Sequence, residues 1–172
     1  MEIELIPILL SLIPTVAITL IALYYFKLHT DNEEKRRRYL LHKENQKQSL
    51  PLRLQAYERM VLFLERISPG KLLLRMQPIG ENKKDFELLL VSTIEQEFDH
   101  NLTQQIYMSD DCWNLIKTAK NGTIALIRKI SLKDEVNSSE SLREHILKEV
   151  IANGAPGDDA LSALKIEVAE ML

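Results

Sequence analysis

The stretch that decides the fold is Leu5–Phe26, LIPILLSLIPTVAITLIALYYF, which contains 22 residues and no charged side chain. A helix rises about 1.5 Å per residue, so about 20 apolar residues cross the ~30 Å hydrocarbon core of a bilayer. We therefore predict that residues 1–26 form a transmembrane anchor. A signal peptide would have a shorter apolar core and a basic flank, whereas Glu2 and Glu4 stand here. A buried helix of a soluble protein rarely continues this far without a charge.

Basic residues lie on one side of this stretch only, and they predict its orientation. None precedes it. The bases that follow it are Lys27, Lys35, Arg36, Arg37 and Arg38. Because basic flanks remain in the cytoplasm, we predict a single-pass protein of the cell (inner) membrane with residues 27–172 in the cytoplasm. We interpret the bases as a topology signal; the alternative is a lipid-responsive module that binds anionic membrane through them.

One side of the predicted span carries small and hydroxylated residues. At 100° per residue they fall within a wedge about 140° wide. The wedge contains Pro7, Ser11, Pro14, Thr15, Thr19 and Ala22. Such residues let helices approach closely in lipid, so we predict packing on another membrane helix, from a second copy or a different subunit. The alternative is that the hydroxyls bond to carbonyls of their own helix and that the prolines only kink it.

Composition after the span favours an all-α fold, because glycine, proline and strand signals are scarce. We predict a polar stalk or linker at 27–49 and a small helical cytoplasmic domain at 50–172 that folds without the anchor. The net charge of −3 argues against a nucleic-acid binder. The single cysteine, Cys112, excludes an internal disulfide and suits a reducing compartment.

Helical periodicity and capping residues divide the domain further. Helices are predicted from 51 to about 67, from 84 to about 102, from 109 to about 132, up to Asn153, and from Asp158 onward. Pro51 suits the first turn of the first of these helices. A short buried segment is predicted at Leu72, Leu73 and Leu74. Gln105–Met108 is predicted to be a short connector, for which an extended conformation is one alternative. The last two helices carry apolar residues that include Ile151 and Leu172.

Two Glu-Arg pairs stand out in the helix that ends near residue 67. Glu58-Arg59 and Glu65-Arg66 are seven residues apart, which returns each acid and each base to nearly the same helical face. The simpler interpretation is a rim of salt bridges to neighbouring helices. The alternative is a polar contact site for a partner. Carboxylates alone do not make an active site without a matched acid or base.

Catalytic and metal signals are weak. Glu97-x-x-His100 has the spacing used in carboxylate di-iron bundles, but the chain has no second such motif. Cys112 lies in a predicted first helical turn, which would stabilise a thiolate, while Asp110 and Asp111 oppose this. We therefore predict no enzyme, no metal, no cofactor and no small-molecule substrate. An enzyme or metal protein using Glu97, His100 or Cys112 is the less favoured alternative.

Two segments resemble a bacterial family of single-span membrane proteins of unknown function. The first is QAYERMVLFLERISP at 55–69, and the second is EFDHNLTQQIYMSD at 97–110, followed by Trp113. The resemblance extends over nearly the whole chain. It implies an N-terminal span before a helical cytoplasmic domain and supplies no activity. Together these features predict a membrane-tethered, non-enzymatic interaction or scaffold protein, such as an accessory subunit of a membrane complex.

Overall fold

The computed structural model describes residues 5–172, and it describes the side chains of 12–44 and 47–172. Within these residues the protein is all-helical, which confirms the predicted class. The α-helices are α1 Leu5–Ile67, α2 Pro69–Arg75, α3 Lys83–Asn101, α4 Asp110–Ser131, α5 Ser139–Asn153 and α6 Asp158–Met171, with a 3-10 helix at Leu102–Tyr107 between α3 and α4. The chain divides into two compact units, Met1–Ser49 and Leu50–Leu172. Helix α1 contributes residues to both.

The first unit contains the apolar stretch. Helix α1 is long and apolar enough to cross a membrane, a property that signal sequences and core helices of soluble proteins share. Its most apolar window has a mean hydropathy of 1.5, and none of that window is buried within the chain. Residues 27–44 are helical and exposed as well, because they are mostly polar and pair charges along the helix, as Arg38 does with Glu34.

A new helix was expected to begin at Pro51, and this prediction is wrong. Helix α1 continues through Pro51 to Ile67 without interruption. Proline lacks the amide that would bond to the carbonyl four residues earlier, so this turn has one hydrogen bond fewer. The helix formers on both sides continue the helix despite the missing bond. The predicted stop is confirmed, since α1 ends at Ile67 directly before Ser68-Pro69.

The second unit has a core that contains three aromatic rings in contact. Phe63 of α1 lies 5.7 Å from Phe98 of α3, and Phe98 stacks on Trp113 of α4 at 5.4 Å between ring centroids. An apolar stripe of α4 is buried, because its residues recur every three or four positions on one face. It comprises Trp113, Ile116, Ala119, Thr123, Ile124, Ile127 and Ile130. Helix α4 packs against α3, α5 and α6, and so forms the centre of the bundle.

The predicted helix start at Ser109 is confirmed by its cap, and α5 begins with a cap of the same kind at Ser138. The Ser109 hydroxyl accepts a hydrogen bond from the Cys112 amide, and the Ser138 hydroxyl accepts one from the Ser141 amide. These bonds satisfy amide donors that the first helical turn leaves free. Gly154 follows α5 with φ of 82°, a conformation that favours glycine, and so ends that helix as predicted.

Leu74, Ile151 and Leu172 are exposed, and of these only Leu74 was predicted to be buried. The Leu72–Leu74 segment is helical, and Leu74 is 75% exposed because three consecutive helical residues cannot all face one core. Ile151 is 85% exposed, since it lies five positions after the buried Ile146 and so falls on a different face of the helix. Leu172 is 83% exposed and follows the end of α6. The connector at Gln105–Met108 is mostly 3-10 helix and not extended.

Candidate functional site

An open groove of about 660 Å³ lies between the last turns of α1 and the second half of α3. Its walls come from positions that recur at three- and four-residue spacing on each helix, so they share a face. The groove is lined by Arg59, Leu62, Phe63, Arg66, Thr93, Gln96, Glu97, His100 and Asn101. The arginines of both Glu-Arg pairs therefore meet the Glu97-x-x-His100 motif, a juxtaposition that residue spacing alone did not indicate.

Glu97 is the carboxylate of the groove, and two arginines hold it. Arg66 Nη2 lies 2.9 Å and Arg75 Nη1 lies 3.4 Å from the same oxygen, Oε1. Arg75 also donates a hydrogen bond from Nη2 to the carbonyl of Arg66 at 3.0 Å. Only 18% of the Glu97 side chain is exposed, so this ion pair is partly shielded from water. Glu97 is thus already neutralised by cations, which disfavours its use as a metal ligand.

The two Glu-Arg pairs of α1 have different surroundings. In the second pair, Glu65 forms a salt bridge with Lys71 of α2 and Arg66 forms one with Glu97 of α3. In the first pair, Glu58 and Arg59 are exposed and form no ion pair or hydrogen bond with another described residue. The rim of salt bridges therefore accounts for the second pair only. The contribution of any of these residues to partner contacts stays a prediction.

Arg59 lacks an acidic neighbour for a reason that the sequence shows. The residues three and four positions away on the helix are Gln55, Ala56, Leu62 and Phe63, and none carries a charge. A guanidinium group offers five N–H donors in a planar fork. Because Arg59 lines the groove without an internal partner among the described residues, its donors face solvent or an incoming ligand.

His100 is held by its own helix. Its Nδ1 lies 2.7 Å from the carbonyl oxygen of Gln96, and a carbonyl only accepts, so Nδ1 carries the proton. Across the described part of the chain, no group of three or more His, Cys, Asp and Glu side chains is arranged to hold a metal ion. With guanidinium groups around Glu97, the groove attracts anions and repels metal cations.

A second polar site, which we call the Glu167 cluster, joins α1, the start of α4 and α6. It consists of Arg53, Tyr57, Ser109, Cys112 and Glu167. The amide and the hydroxyl of Ser109 each donate a hydrogen bond of 3.1 Å to the Glu167 carboxylate, and Arg53 Nε donates one of 3.1 Å to the carbonyl of Tyr107. Sequence reasoning missed this cluster, because its members are separated by up to 114 positions and share no motif.

The electrostatics of the Glu167 cluster make it a structural site. Burial would raise the pKa of Glu167, but the nearby Tyr57 hydroxyl, Cys112 thiol and Ser109 donors outweigh burial and lower that pKa. Burial, followed by the Glu167 carboxylate, raises the pKa of Cys112 to about 12. The same two causes raise the pKa of Tyr57, whose buried hydroxyl has no hydrogen-bond partner of standard geometry among the described residues. Cys112 is therefore a protonated, buried thiol and not an activated nucleophile.

The predicted membrane wedge is described in part. The Thr19 hydroxyl donates a hydrogen bond of 2.8 Å to the Thr15 carbonyl, so for Thr19 the bond within its own helix is present. The side chains of Pro14, Thr15 and Ala22 are exposed within the described chain. The side chains of Pro7 and Ser11 lie outside the described residues.

The basic cluster that follows the apolar stretch is divided between paired and unpaired side chains. Arg36 contacts Glu33 at 3.6 Å and Arg38 contacts Glu34 at 2.5 Å, each one helical turn away. The other bases, Lys27, Lys35 and Arg37, are exposed and form no ion pair with another described residue. Only part of the cluster thus has its charge balanced within the chain.

Residues 3–171 match the model of a protein family described as a family of unknown function, DUF7935. No curated protein matches the chain, and no solved structure matches it. The matched range includes the apolar stretch, the groove and the Glu167 cluster alike. The expected membership of a family without an assigned activity is confirmed. The bacterial origin and the membrane character that the resemblance implied stay predictions.

Proposed function

The chain belongs to this family of unknown function, and from the features above we propose that it is a membrane-tethered, non-enzymatic interaction protein. In this proposal residues 1–26 anchor the chain, residues 27–49 act as a stalk or linker, and residues 50–172 bind a partner in the cytoplasm. The protein then serves as an accessory or scaffold subunit of a membrane complex.

The observation that carries the proposal is the uncovered apolar surface of helix α1. None of its most apolar window is buried by the rest of the chain. Side chains on all sides of the helix are exposed, for example Ile13 at 68%, Tyr24 at 65% and Phe26 at 75%. A patch of this size is not left in water by a stable soluble protein, so lipid or another helix covers it.

The groove supports the second half of the proposal. It is open to solvent, it carries the unpaired guanidinium of Arg59, and Leu62 beside it is 56% exposed. Arginine is enriched in protein-contact surfaces, and the exposed Leu62 adds apolar area beside it. No arrangement of a nucleophile with a matched base is present among the described groove residues, where Glu97 and His100 are held by other groups.

Anchoring and orientation are tested with a single new thiol. Asp134→Cys places a thiol on an exposed turn, while the native Cys112 is buried and gives little background. We expect the variant to remain in the membrane pellet after alkaline carbonate extraction. A membrane-impermeant maleimide should label it only after lysis. Extraction by carbonate, or labelling of intact cells while a periplasmic control thiol behaves normally, would contradict the proposal.

Partner binding is tested by crosslinking in native membranes followed by purification of the full chain. The wild type should retain defined partners or a second copy. Replacing Ser11, Thr15 and Thr19 together by Leu fills the wedge and should reduce association, whereas the matched change of Leu9, Ile13 and Leu20 to Val should not. If the wild type retains no partner at all, the interaction function is wrong; if both triple variants retain the same partners, the span is a passive tether.

The second candidate function is a lipid-responsive module, and the unpaired Lys27, Lys35 and Arg37 favour it. Each basic side chain near an anionic surface contributes about 1 kcal/mol of attraction, which salt screens. Residues 27–172 should then bind vesicles of anionic lipid in low salt and lose that binding when Lys35 and Arg37 are changed to Gln. Binding that is equal for zwitterionic vesicles would exclude this function.

A further inference from the structure

We infer that the groove between α1 and α3 binds an acidic side chain of a peptide segment, with an apolar side chain of the same segment lying on Leu62. This inference rests on the proposed interaction function and names the chemistry of the partner. It concerns the second unit alone, because every lining residue lies within Leu50–Leu172.

The charge of the groove is the first argument. Two guanidinium groups, those of Arg59 and Arg66, line the groove with a single carboxylate, that of Glu97, which Arg75 of α2 also contacts. Glu65 on the same helix is occupied by Lys71. One positive charge of the groove lining is therefore uncompensated, and it attracts an anion to the groove. A carboxylate entering beside Arg59 would remove this imbalance without breaking the ion pair at Glu97.

The hydrogen-bonding groups of the lining give the second argument. Arg59 can bind a carboxylate with two parallel N–H donors, the geometry that makes such pairs strong. The side-chain amide of Gln96 also forms no hydrogen bond with another described residue and offers two further donors. By contrast, Thr93 already donates to the Leu89 carbonyl at 2.7 Å, and Asn101 donates to the Glu97 carbonyl at 2.8 Å. The free donors are thus Arg59 and Gln96, which suit an acceptor-only ligand.

The length and the apolar part of the groove indicate a peptide and not a small free anion. Positions 59 and 66 are seven residues apart on α1, which corresponds to about 10 Å along a helix axis. Leu62 lies between them with 56% of its side chain exposed, above the buried Phe63. An inorganic anion would leave this length and this apolar surface unused. A segment with an acidic residue three or four positions from an apolar residue would use both.

The test uses the full chain in nanodiscs of zwitterionic lipid, so that no lipid anion competes. A displayed library of random twelve-residue peptides is selected on the wild type. We expect enriched peptides to carry Asp or Glu three or four positions from Leu, Ile or Phe. Arg59→Gln should weaken their binding tenfold or more, since Arg59 supplies the uncompensated charge. Arg128→Gln, an exposed arginine of α4 outside the groove, is the matched control and should change binding less than twofold.

Each contrary result overturns the inference. These results are an absence of enriched peptides, enrichment without acidic residues, and equal binding by the Arg59→Gln variant. Displacement of the peptides by millimolar inorganic phosphate, but not by chloride at the same ionic strength, would assign the groove to a free phosphate instead. Circular dichroism and melting of each variant identify any loss of folding, and Glu58→Gln beside Arg59 serves as a second folded comparison. If partners are still retained in native membranes, the proposed function survives such a failure.

Discussion

The groove and the Glu167 cluster share the same stretch of α1, but they differ in whether their charged groups are paired within the chain. Arg59 faces the groove with no partner among the described residues, while Tyr57, two positions earlier, is buried beside Glu167. In the cluster a single carboxylate is surrounded by donors, and these lower its pKa. In the groove the cations outnumber the carboxylate. The difference indicates that a polar group saturated by its own chain stabilises the fold, whereas an unsaturated group is available to a partner.

The largest loss of stability is expected from a substitution in the core that supports both regions. Trp113 is 7% exposed and stacks on Phe98, which in turn contacts Phe63 in the groove wall. Trp113→Ala should lower the free energy of unfolding by about 3–5 kcal/mol, because a large buried ring leaves a cavity. Urea unfolding followed by circular dichroism measures this. Leu132→Ala, at a position that is 83% exposed, should change it by less than about 0.5 kcal/mol. Equal effects would place Trp113 outside the core.

A change in the Glu167 cluster should have the next largest effect. Glu167→Ala leaves the amide and hydroxyl of Ser109 without their acceptor. Because Ser109 is exposed, water partly replaces the lost bonds, so the free energy of unfolding should fall by about 0.5–1.5 kcal/mol. The neighbouring Glu170 is exposed and serves as the control for loss of a negative charge on α6. If Glu170→Ala destabilises the domain equally, the cluster has no special structural role.

Lowering the pH should remove the stability that Glu167 contributes to the fold. The Arg59→Gln variant should lose stability with falling pH as the wild type does. The folded-state pKa of Glu167 lies below its usual value, so between the two values the unfolded state binds more protons. The stability from Glu167 is therefore present above its unfolded pKa of about 4.3 and is lost as the pH falls through the folded pKa. Urea midpoints between pH 7 and 3 should decline less steeply for Glu167→Gln than for the wild type.

The comparison with wild type is needed because other carboxylates contribute with the same sign. Glu144, which pairs with Lys148, also has a lowered pKa. Arg59→Gln removes no carboxylate, so its pH dependence should be parallel to that of the wild type. A Glu167→Gln profile parallel to the wild type would show that the cluster does not hold an ionised carboxylate.

The smallest effects should separate the two arginines of the groove. Arg59 has no internal partner among the described residues, so Arg59→Gln should change stability by less than about 0.5 kcal/mol. Arg66 pairs with Glu97 but is 45% exposed, and such pairs contribute about 0.2–1 kcal/mol. A double-mutant cycle of Arg66→Gln with Glu97→Gln should show coupling. The same cycle with Arg59 should show none, and measurable coupling there would mean that Arg59 is not free.

Much of the fold was predictable from local signals. Helix α4 could be recognised because Ser109 caps it and its apolar residues recur on one face over 22 residues. The path of α1 through Pro51 was not predictable, because local propensity favours either a start or a weakened continuation there. The exposure of Leu74 and Ile151 depends on which neighbour covers each face, and periodicity does not specify that neighbour.

The groove could not be predicted from local sequence signals either. The sequence indicated Arg59, Arg66, Glu97 and His100 separately, and only the packing of α1 on α3 brings them together. The sequence also did not distinguish the paired Glu65-Arg66 from the unpaired Glu58-Arg59. The partners of Glu65 and Arg66 are Lys71 and Glu97, and these come from other helices. The Glu167 cluster had no sequence signal beyond a tyrosine on an otherwise apolar face.

Cys112 has a consequence for how the motions of this protein can be followed. Its side chain is 3% exposed, and it lies beside Glu167 of the last helix. A small thiol reagent therefore reacts only during a transient local opening, at a rate set by the open fraction when reclosing is fast. The native chain thus carries its own reporter of how often α6 separates from α4. Reaction rates measured across a denaturant series would show whether α6 opens alone or only when the whole domain unfolds.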